Sequence, residues 1–139
     1  MSESIPSPTR SPMPEVRDGI TRKFMIPYTH KDGTKDKLKL YITANTDEHG
    51  QLKEVFIKAD KMGGLASGAL DAVATMLSIA LQYGIPLEVL TSKLRRNLFG
   101  PSGFTGDKEF PSCSSPFDLI AQFLDKKFGK DPTIGIVSQ

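Results

Sequence analysis

The chain has little of what several large classes of protein require. Its 139 residues include one cysteine and no tryptophan, so an internal disulfide and a zinc site built from several thiolates are both excluded. No apolar run reaches the length of a transmembrane helix, and the N-terminal residues lack the apolar stretch of a signal peptide. The net charge is only +2 and the Lys and Arg residues are scattered. We therefore expect a soluble, cytoplasmic protein with no membrane partner and no DNA partner.

The length and the composition predict one domain between two flanking segments. A chain of this size buries roughly two thirds of its unfolded surface, which is enough for a core. Residues 1–18 are rich in Ser and Pro and poor in large apolar side chains, so we expect a disordered arm there. The domain is predicted over residues 19–129, and residues 130–139 form a tail without a clear signal.

The spacing of apolar residues predicts three strands and three helices. Alternation favours strands at 21–28, 37–44 and 52–59, the last two joined as an antiparallel hairpin. A long apolar helix is expected at 65–83, ended by Gly84, with shorter helices at 86–99 and 115–128. The predicted fold class is α+β: a small antiparallel sheet of about three strands packed on a long central helix and two shorter helices.

The long helix is apolar on more than one side, which a surface helix is not. Either the sheet and the other helices wrap it, or a second subunit covers it. Because the predicted sheet is small, we expect the chain to associate with itself as a homodimer or a higher oligomer. Asp71 lies inside this helix, and it should face water or meet a Lys or Arg.

Two glycine-rich segments are candidate ligand sites. The first comprises Lys61, Gly63 and Gly64 at the junction of a strand with the long helix. Backbone N–H groups at a helix N-terminus attract phosphates. The spacing G-x-x-x-x-G-K-[ST] of a nucleotide loop is missing, however, and a tight turn explains the glycines more simply.

The second candidate site is the loop that follows the second helix. Loops of this length are usually functional or disordered, and this one combines cations for a phosphate with aromatic rings that could stack on a base. The alternative is that its arginines only form a solvated helix end, and the sequence leaves both interpretations open. The candidate ligand-binding residues are Arg95, Arg96, Asn97, Phe99, Phe104, Gly106 and Lys108.

The sequence predicts no catalytic residue, no metal site and no cofactor. His30 and His49 lie in turns without a second metal ligand at a usable spacing, so both should be exposed to solvent. Cys113 is more typical of a small buried apolar side chain than of a nucleophile. The sequence does not indicate a nucleophile paired with a base.

Several segments resemble a known family. The run KLYITANTDEHGQLKEVFIKADKMGG, followed by MLSIALQYGIPLEVL and FGPSG, is similar to the TSCPD domain at the C-terminus of adenosylcobalamin (vitamin B12)-dependent, class II ribonucleotide reductases. The resemblance extends from about Pro14 to about Phe128. The Thr-Ser-Cys-Pro-Asp signature is altered here, because residues 111–118 read PSCSSPFD. The resemblance implies a free-standing version of this domain.

The resemblance implies little catalytic capacity, because a reductase needs a catalytic barrel and several cysteines, and this chain has Cys113 alone. We favour a non-catalytic, oligomeric domain that binds nucleotides or nucleotide-derived signals. A phage protein that sequesters such molecules in the host cytoplasm is one form of this hypothesis. Two alternatives stay open. One is an accessory subunit that completes a split B12-dependent reductase, and the other is an enzyme, such as a hydrolase or transferase, that uses the second glycine-rich loop.

Overall fold

The structure is a computed structural model that describes residues 9–60 and 64–129. It confirms the α+β class, with a small antiparallel sheet and helices. In chain order the elements are β1 (Asp18–Thr29), β2 (Lys35–Thr46), β3 (Leu52–Asp60), α1 (Gly64–Gln82), α2 (Leu87–Leu94), β4 (Gly103–Phe104), β5 (Ser112–Cys113) and α3 (Pro116–Phe128).

Strands β1, β2 and β3 form an antiparallel sheet with β2 in the centre. Both turns contain a glycine with positive φ, Gly33 at 90° and Gly50 at 77°, as expected for tight connections. The register places Phe24 opposite Leu40, and Ile42 opposite Ile57. Strand alternation therefore puts one row of apolar side chains on a single face of the sheet. The buried members of this row are Phe24, Ile26, Leu38, Leu40, Ile42, Ala44, Val55 and Ile57.

The most deeply buried helix is α3. Its residues Leu119, Ile120, Ala121, Phe123 and Leu124 have no solvent-accessible surface. The ring of Phe123 packs edge-on against Phe24 of the sheet, with 5.6 Å between the ring centroids. Helix α3 thus lies beneath the sheet and forms the centre of the core.

The predicted long helix exists at the expected place, but its predicted central position is only partly shown. Helix α1 buries one face, formed by Leu70, Ala74, Leu77 and Leu81, whereas Met76 on the other side is 70% exposed. Much of the apolar character of this helix comes from alanine. An exposed alanine presents little apolar surface to water, because its side chain is small. The sequence therefore overstated how much of this helix is buried within the fold.

Helix α1 instead covers the free edge of β3. The side chain of Ser78 accepts a hydrogen bond from the Val55 N–H at 2.8 Å. Two further contacts join the same elements, because Gln82 Nε2 donates to the Lys53 carbonyl at 3.0 Å and Lys53 Nζ donates to the Leu81 carbonyl at 3.1 Å. At Lys53 and Val55 the backbone of β3 is therefore not free to pair with another chain.

The region after α1 differs from the prediction in two ways. Gly84 ends α1 with φ of 92°, as predicted, but α2 ends at Leu94 and not at Phe99. The side chain of Asn97 explains this early end, since its Nδ2 donates to the Lys93 carbonyl at 3.0 Å. The predicted loop also contains a two-stranded ribbon, which β4 and β5 form.

The segment before β1 has contacts with the folded domain. Residues 9–17 contain no helix or strand, but the Ser11 N–H donates to the Gln82 carbonyl at 2.9 Å. Arg17 Nε lies 3.6 Å from Glu54 Oε1. The predicted arm and tail lie partly outside the described residues, so those boundaries stay predictions. In the described ranges, no helix has the length and apolarity needed to cross a membrane.

Candidate functional site

The start of α3 is built around two buried polar side chains, Ser115 and Asp118. Ser115 caps the helix, because its side-chain oxygen accepts the Asp118 N–H at 2.9 Å. Asp118 Oδ2 in turn accepts from the Ser114 N–H at 3.0 Å and from Gln122 Nε2 at 2.8 Å. The Asp118 carboxylate thereby fixes the end of the β4–β5 ribbon to the first turn of α3.

Arg95 completes this network. Its Nε lies 3.4 Å from Asp118 Oδ1, and its Nη1 lies 3.9 Å from Asp125 Oδ2. Burial raises the pKa of Asp125, an effect that the hydrogen bond from Thr91 and the charge of Arg95 oppose. The Thr91 hydroxyl donates to Asp125 Oδ1 at 2.7 Å. The charge of Arg95 is therefore already used to hold α2 against α3.

Arg96 differs from its neighbour, because it is exposed and its guanidinium has no ion pair with the described residues. The next residue, Asn97, joins the end of α2 to the ribbon, since its carbonyl accepts the Ser114 hydroxyl at 3.2 Å. With respect to residues 9–60 and 64–129, Arg96 is thus a cation without an ion pair, next to a backbone position that Ser114 holds.

The two aromatic candidates lie in different surroundings. The ring of Phe99 packs edge-on against Phe117, with 5.1 Å between the centroids. Phe104 pairs with Ser112 in the ribbon, and it is 83% exposed. The backbone beside Phe104 is braced, because the Thr105 hydroxyl donates to the Phe110 carbonyl at 2.6 Å. An exposed ring is therefore presented on an ordered strand.

Gly106 and Lys108 belong to the turn that connects β4 to β5. In this turn Asp107 Oδ1 accepts the N–H groups of Glu109 and Phe110. Asp107 and Glu109 both form ion pairs with Arg22 of β1, and Glu109 also pairs with Lys126 and Lys127 at the end of α3. The contacts of this turn are with β1 and the end of α3. Asn97 instead contacts Ser114 just before α3, and Phe99 contacts Phe117 in its first turn.

The structure therefore divides the second predicted site. Arg96, Asn97 and Phe99 follow the end of α2. Phe104 lies on the ribbon, and Ser114, the residue after the ribbon, is hydrogen-bonded to Asn97. We call these four residues, Arg96, Asn97, Phe99 and Phe104, the α2–ribbon surface. Arg95 lies beside them but is bound by carboxylates. Of the first predicted site, Gly64 is the first residue of α1, whereas Lys61 and Gly63 lie outside the described residues.

The other residues that the sequence singled out are Cys113, His30, His49 and Asp71. Cys113 is buried, and burial together with the charge of Asp118 raises the pKa of its thiol, so the unreactive protonated form is favoured. His30 and His49 are exposed, as predicted. Asp71 is also exposed and faces water. Within residues 9–60 and 64–129, no group of three His, Cys, Asp or Glu side chains could hold a metal ion.

Sequence reasoning identified the cap at Ser115 but missed the role of Asp118. The signal was present, since a serine followed three residues later by an acidic residue is typical of a capping box. In the usual box the acidic side chain returns to the N–H of the capping residue. Here it accepts the N–H of Ser114, one residue earlier, and so reaches the ribbon.

Comparison with known proteins agrees with the family resemblance seen in the sequence. The TSCPD domain family matches residues 13–128. A vitamin B12-dependent ribonucleotide reductase of Rhodopirellula baltica is 35% identical over 121 residues, which are 87% of this chain and 11% of that protein. The protein of the same name from Streptantibioticus cattleyicolor is 36% identical over 121 residues, which are 87% of this chain and 19% of the relative.

The chain therefore spans less than a fifth of the length of either relative. No solved structure matches it significantly. Because the family match covers most of the chain, including the sheet, all three helices and the ribbon, the chain belongs to the TSCPD domain family.

Proposed function

We propose that this chain is a non-catalytic binding domain, related to class II ribonucleotide reductases, that takes up nucleotides or nucleotide-derived molecules at the α2–ribbon surface. The observation that carries the proposal is the exposure of Phe104, at 83%, on a braced strand. An aromatic side chain on a fixed backbone has only two rotatable torsions, so it loses little conformational freedom when a base stacks on it.

Arg96 supplies the second element of the site. Its guanidinium can donate two parallel hydrogen bonds to a phosphate, and no described carboxylate neutralises it. A ring for the base and a cation for the phosphate together favour a nucleotide over a nucleoside or an inorganic anion. The names of the relatives, which are reductases of ribonucleotides, support the same ligand class.

The proposal also includes the cellular role and the self-association of the protein. A domain that binds nucleotides without changing them acts by capturing them or by sensing them in the cytoplasm. For a phage-encoded chain, capture in the host cytoplasm would keep a nucleotide signal from its receptor. Self-association through the exposed side of α1, where Met76 lies, would place several such surfaces on one particle.

Isothermal titration calorimetry tests the proposal with ATP, dATP, cyclic AMP, ADP-ribose and adenosylcobalamin as probes. We expect one nucleotide class to bind, and Phe104→Ala and Arg96→Ala should each weaken binding about tenfold or more, or about 1.4 kcal/mol. Lys93→Ala is the matched control, because Lys93 is an exposed cation of α2 outside the surface. The proposal is wrong if no probe binds or if all three variants bind alike.

A second candidate function is that of an accessory subunit for a reductase. Three apolar side chains are exposed in one part of the chain, Tyr83 and Ile85 in the connection between α1 and α2 and Val89 in the first turn of α2. Exposed apolar side chains of this kind favour a protein partner. A B12-dependent reductase truncated before its own TSCPD domain should then co-elute with this chain in gel filtration, and Val89→Glu should abolish the complex. Separate elution of the two wild-type proteins would reject this candidate.

A further inference from the structure

The sheet has a second face, which points away from α3. Strand alternation places the odd-numbered residues of β1 and β2 and the even-numbered residues of β3 on this side. We call this side the open face, because the described residues leave much of it uncovered. Phe56, for example, is 50% exposed. The side chains of the open face are Thr21, Lys23, Met25, Pro27, Thr29, Lys35, Lys37, Lys39, Tyr41, Thr43, Phe56, Lys58 and Asp60.

The open face is strongly basic. Among the side chains just given, five are lysines, Lys23, Lys35, Lys37, Lys39 and Lys58. Only Asp60 among them is a carboxylate. No described carboxylate lies within ion-pair distance of these lysines. Glu54 also points to this side at one end of β3, but it is buried and bound by Asn45 and Arg17. The positive charge of the open face is therefore available to a ligand.

Two aromatic rings lie among the lysines. In the register of the sheet, Tyr41 stands between Lys23 and Lys58, and the ammonium of Lys23 lies 5.9 Å from the centroid of its ring. Phe56 is two residues from Lys58 and pairs with Thr43. Diagonal neighbours of this kind are roughly 7–8 Å apart, so two rings lie side by side on the open face.

Protection against aggregation does not explain this arrangement. Lysines on an edge strand keep it from pairing with other chains, but Lys35, Lys37 and Lys39 belong to β2, the central strand. They also follow one another at every second residue, which spaces them about 6.8 Å apart along the strand. Solubility, moreover, does not require aromatic side chains such as Tyr41 and Phe56 at the centre of the open face.

From this combination we infer that the open face binds a single-stranded nucleic acid. Bases stack on Tyr41 and Phe56, and the lysines contact the phosphates, as in sheets that bind single strands through aromatic residues. A duplex is not a suitable ligand, because its bases are stacked on one another and cannot lie on a flat sheet. The open face shares no residue with the α2–ribbon surface, so the two sites are independent.

Fluorescence anisotropy with labelled oligo(dT) and oligo(U) of about 12 nucleotides tests the inference, because single-strand sites span roughly 4–16 nucleotides. We expect binding that weakens between about 50 and about 200 mM salt. The double variant Tyr41→Ala/Phe56→Ala should lower the affinity at least about fivefold. Tyr41→Phe, which keeps the ring, should bind like the wild type, so that a loss in the double variant comes from the rings and not from the Tyr41 hydroxyl.

The lysines require their own variant. Lys23→Gln/Lys58→Gln should weaken binding and make it less dependent on salt, since each phosphate contact contributes about 0.7 to the slope of log affinity against log salt for single strands. Lys93→Gln and Arg96→Ala are controls that should bind normally, because neither residue belongs to the open face. The comparison of dT with U shows whether DNA or RNA is preferred.

Three results would overturn the inference. The first is no binding of either oligonucleotide at micromolar concentration. The second is binding that the double aromatic variant leaves unchanged. The third is binding of polyglutamate or of a DNA duplex as tightly as of the single strands, which would make the open face a general surface for polyanions or acidic proteins.

Discussion

Arg95 Nε lies 3.4 Å from Asp118 Oδ1, and this pair joins the end of α2 to the first turn of α3. The sequence grouped Arg95 with Arg96 as possible ligand cations. The structure gives them different surroundings, because the guanidinium of Arg95 faces Asp118 and Asp125, whereas Arg96 has no described acidic partner. Arg96→Ala should consequently affect binding, while Arg95→Ala should affect the fold.

The first prediction concerns the carboxylate of this pair. Asp118→Ala should lower the free energy of unfolding by about 2 kcal/mol, because it leaves the Ser114 N–H without its acceptor and Arg95 without its buried partner. Urea denaturation measures the loss. Asp71→Ala removes an exposed carboxylate and should change stability by less than about 0.5 kcal/mol. Equal effects of the two substitutions would show that the Asp118 network contributes nothing.

A second prediction tests the covering of the sheet edge. Ser78→Ala should destabilise the protein by about 1–3 kcal/mol, since the buried Val55 N–H loses its acceptor. The matched control is Ser92→Ala, because Ser92 is exposed on α2 and its hydroxyl donates only to the Val89 carbonyl. The two variants can be compared by thermal denaturation, and a control that loses as much stability as Ser78→Ala would contradict this explanation.

Self-association is the subject of the third prediction. Light scattering of the wild type should give a mass of at least a dimer, and Met76→Lys should shift it to the monomer, because the substitution places a charge on the exposed side of α1. Val89→Lys, a similar change on α2, should leave the mass unaltered. A wild-type monomer at micromolar concentration would contradict self-association altogether.

The fourth prediction follows from the raised pKa of Asp125. The folded protein holds this proton more tightly than the unfolded chain does. Asp125 therefore contributes stability below its unfolded pKa, near 3.8, and this contribution is lost as the pH rises through the folded pKa. The variant Asp125→Asn lacks this titration, so the stability of the wild type relative to the variant should fall as the pH rises from acidic to neutral values.

Urea denaturation at several pH values measures this difference. Glu88→Gln serves as the control, because Glu88 is exposed at the start of α2 and its charge is only a minor contribution to the pKa of Asp125. Parallel curves for wild type and Asp125→Asn across the whole range would show that burial does not raise this pKa.

Much of the fold was predictable, because a helix or strand that is buried on one side has apolar residues at a regular spacing in the sequence. The alternation of Leu38, Leu40 and Ile42 predicted β2, and the structure buries these three side chains. Gly84 and Ser115 marked helix ends through local backbone preferences, which need no information about distant residues. The three strands of the main sheet, the three helices and the family were therefore accessible from the chain alone, whereas the ribbon of β4 and β5 was not.

The position of α1 was not accessible in this way. Its apolar composition predicted a central helix, but a pattern does not show which neighbours a helix has. The hydrogen bond between Ser78 and Val55 joins residues 23 positions apart, and it places α1 at the edge of β3. The central position belongs to α3, which the sequence treated as one of two shorter helices.

The candidate sites show the same division. The sequence by itself determined the elements, their order and the presence of cations and rings in the loop after α2. Only the tertiary structure separated Arg95 from Arg96, because their difference depends on carboxylates that α3 supplies. It also collected lysines from three strands onto one face. The pairing of three consecutive strands adds Lys23 of β1 and Lys58 of β3 to the lysines of β2, and no single strand shows that charge by itself.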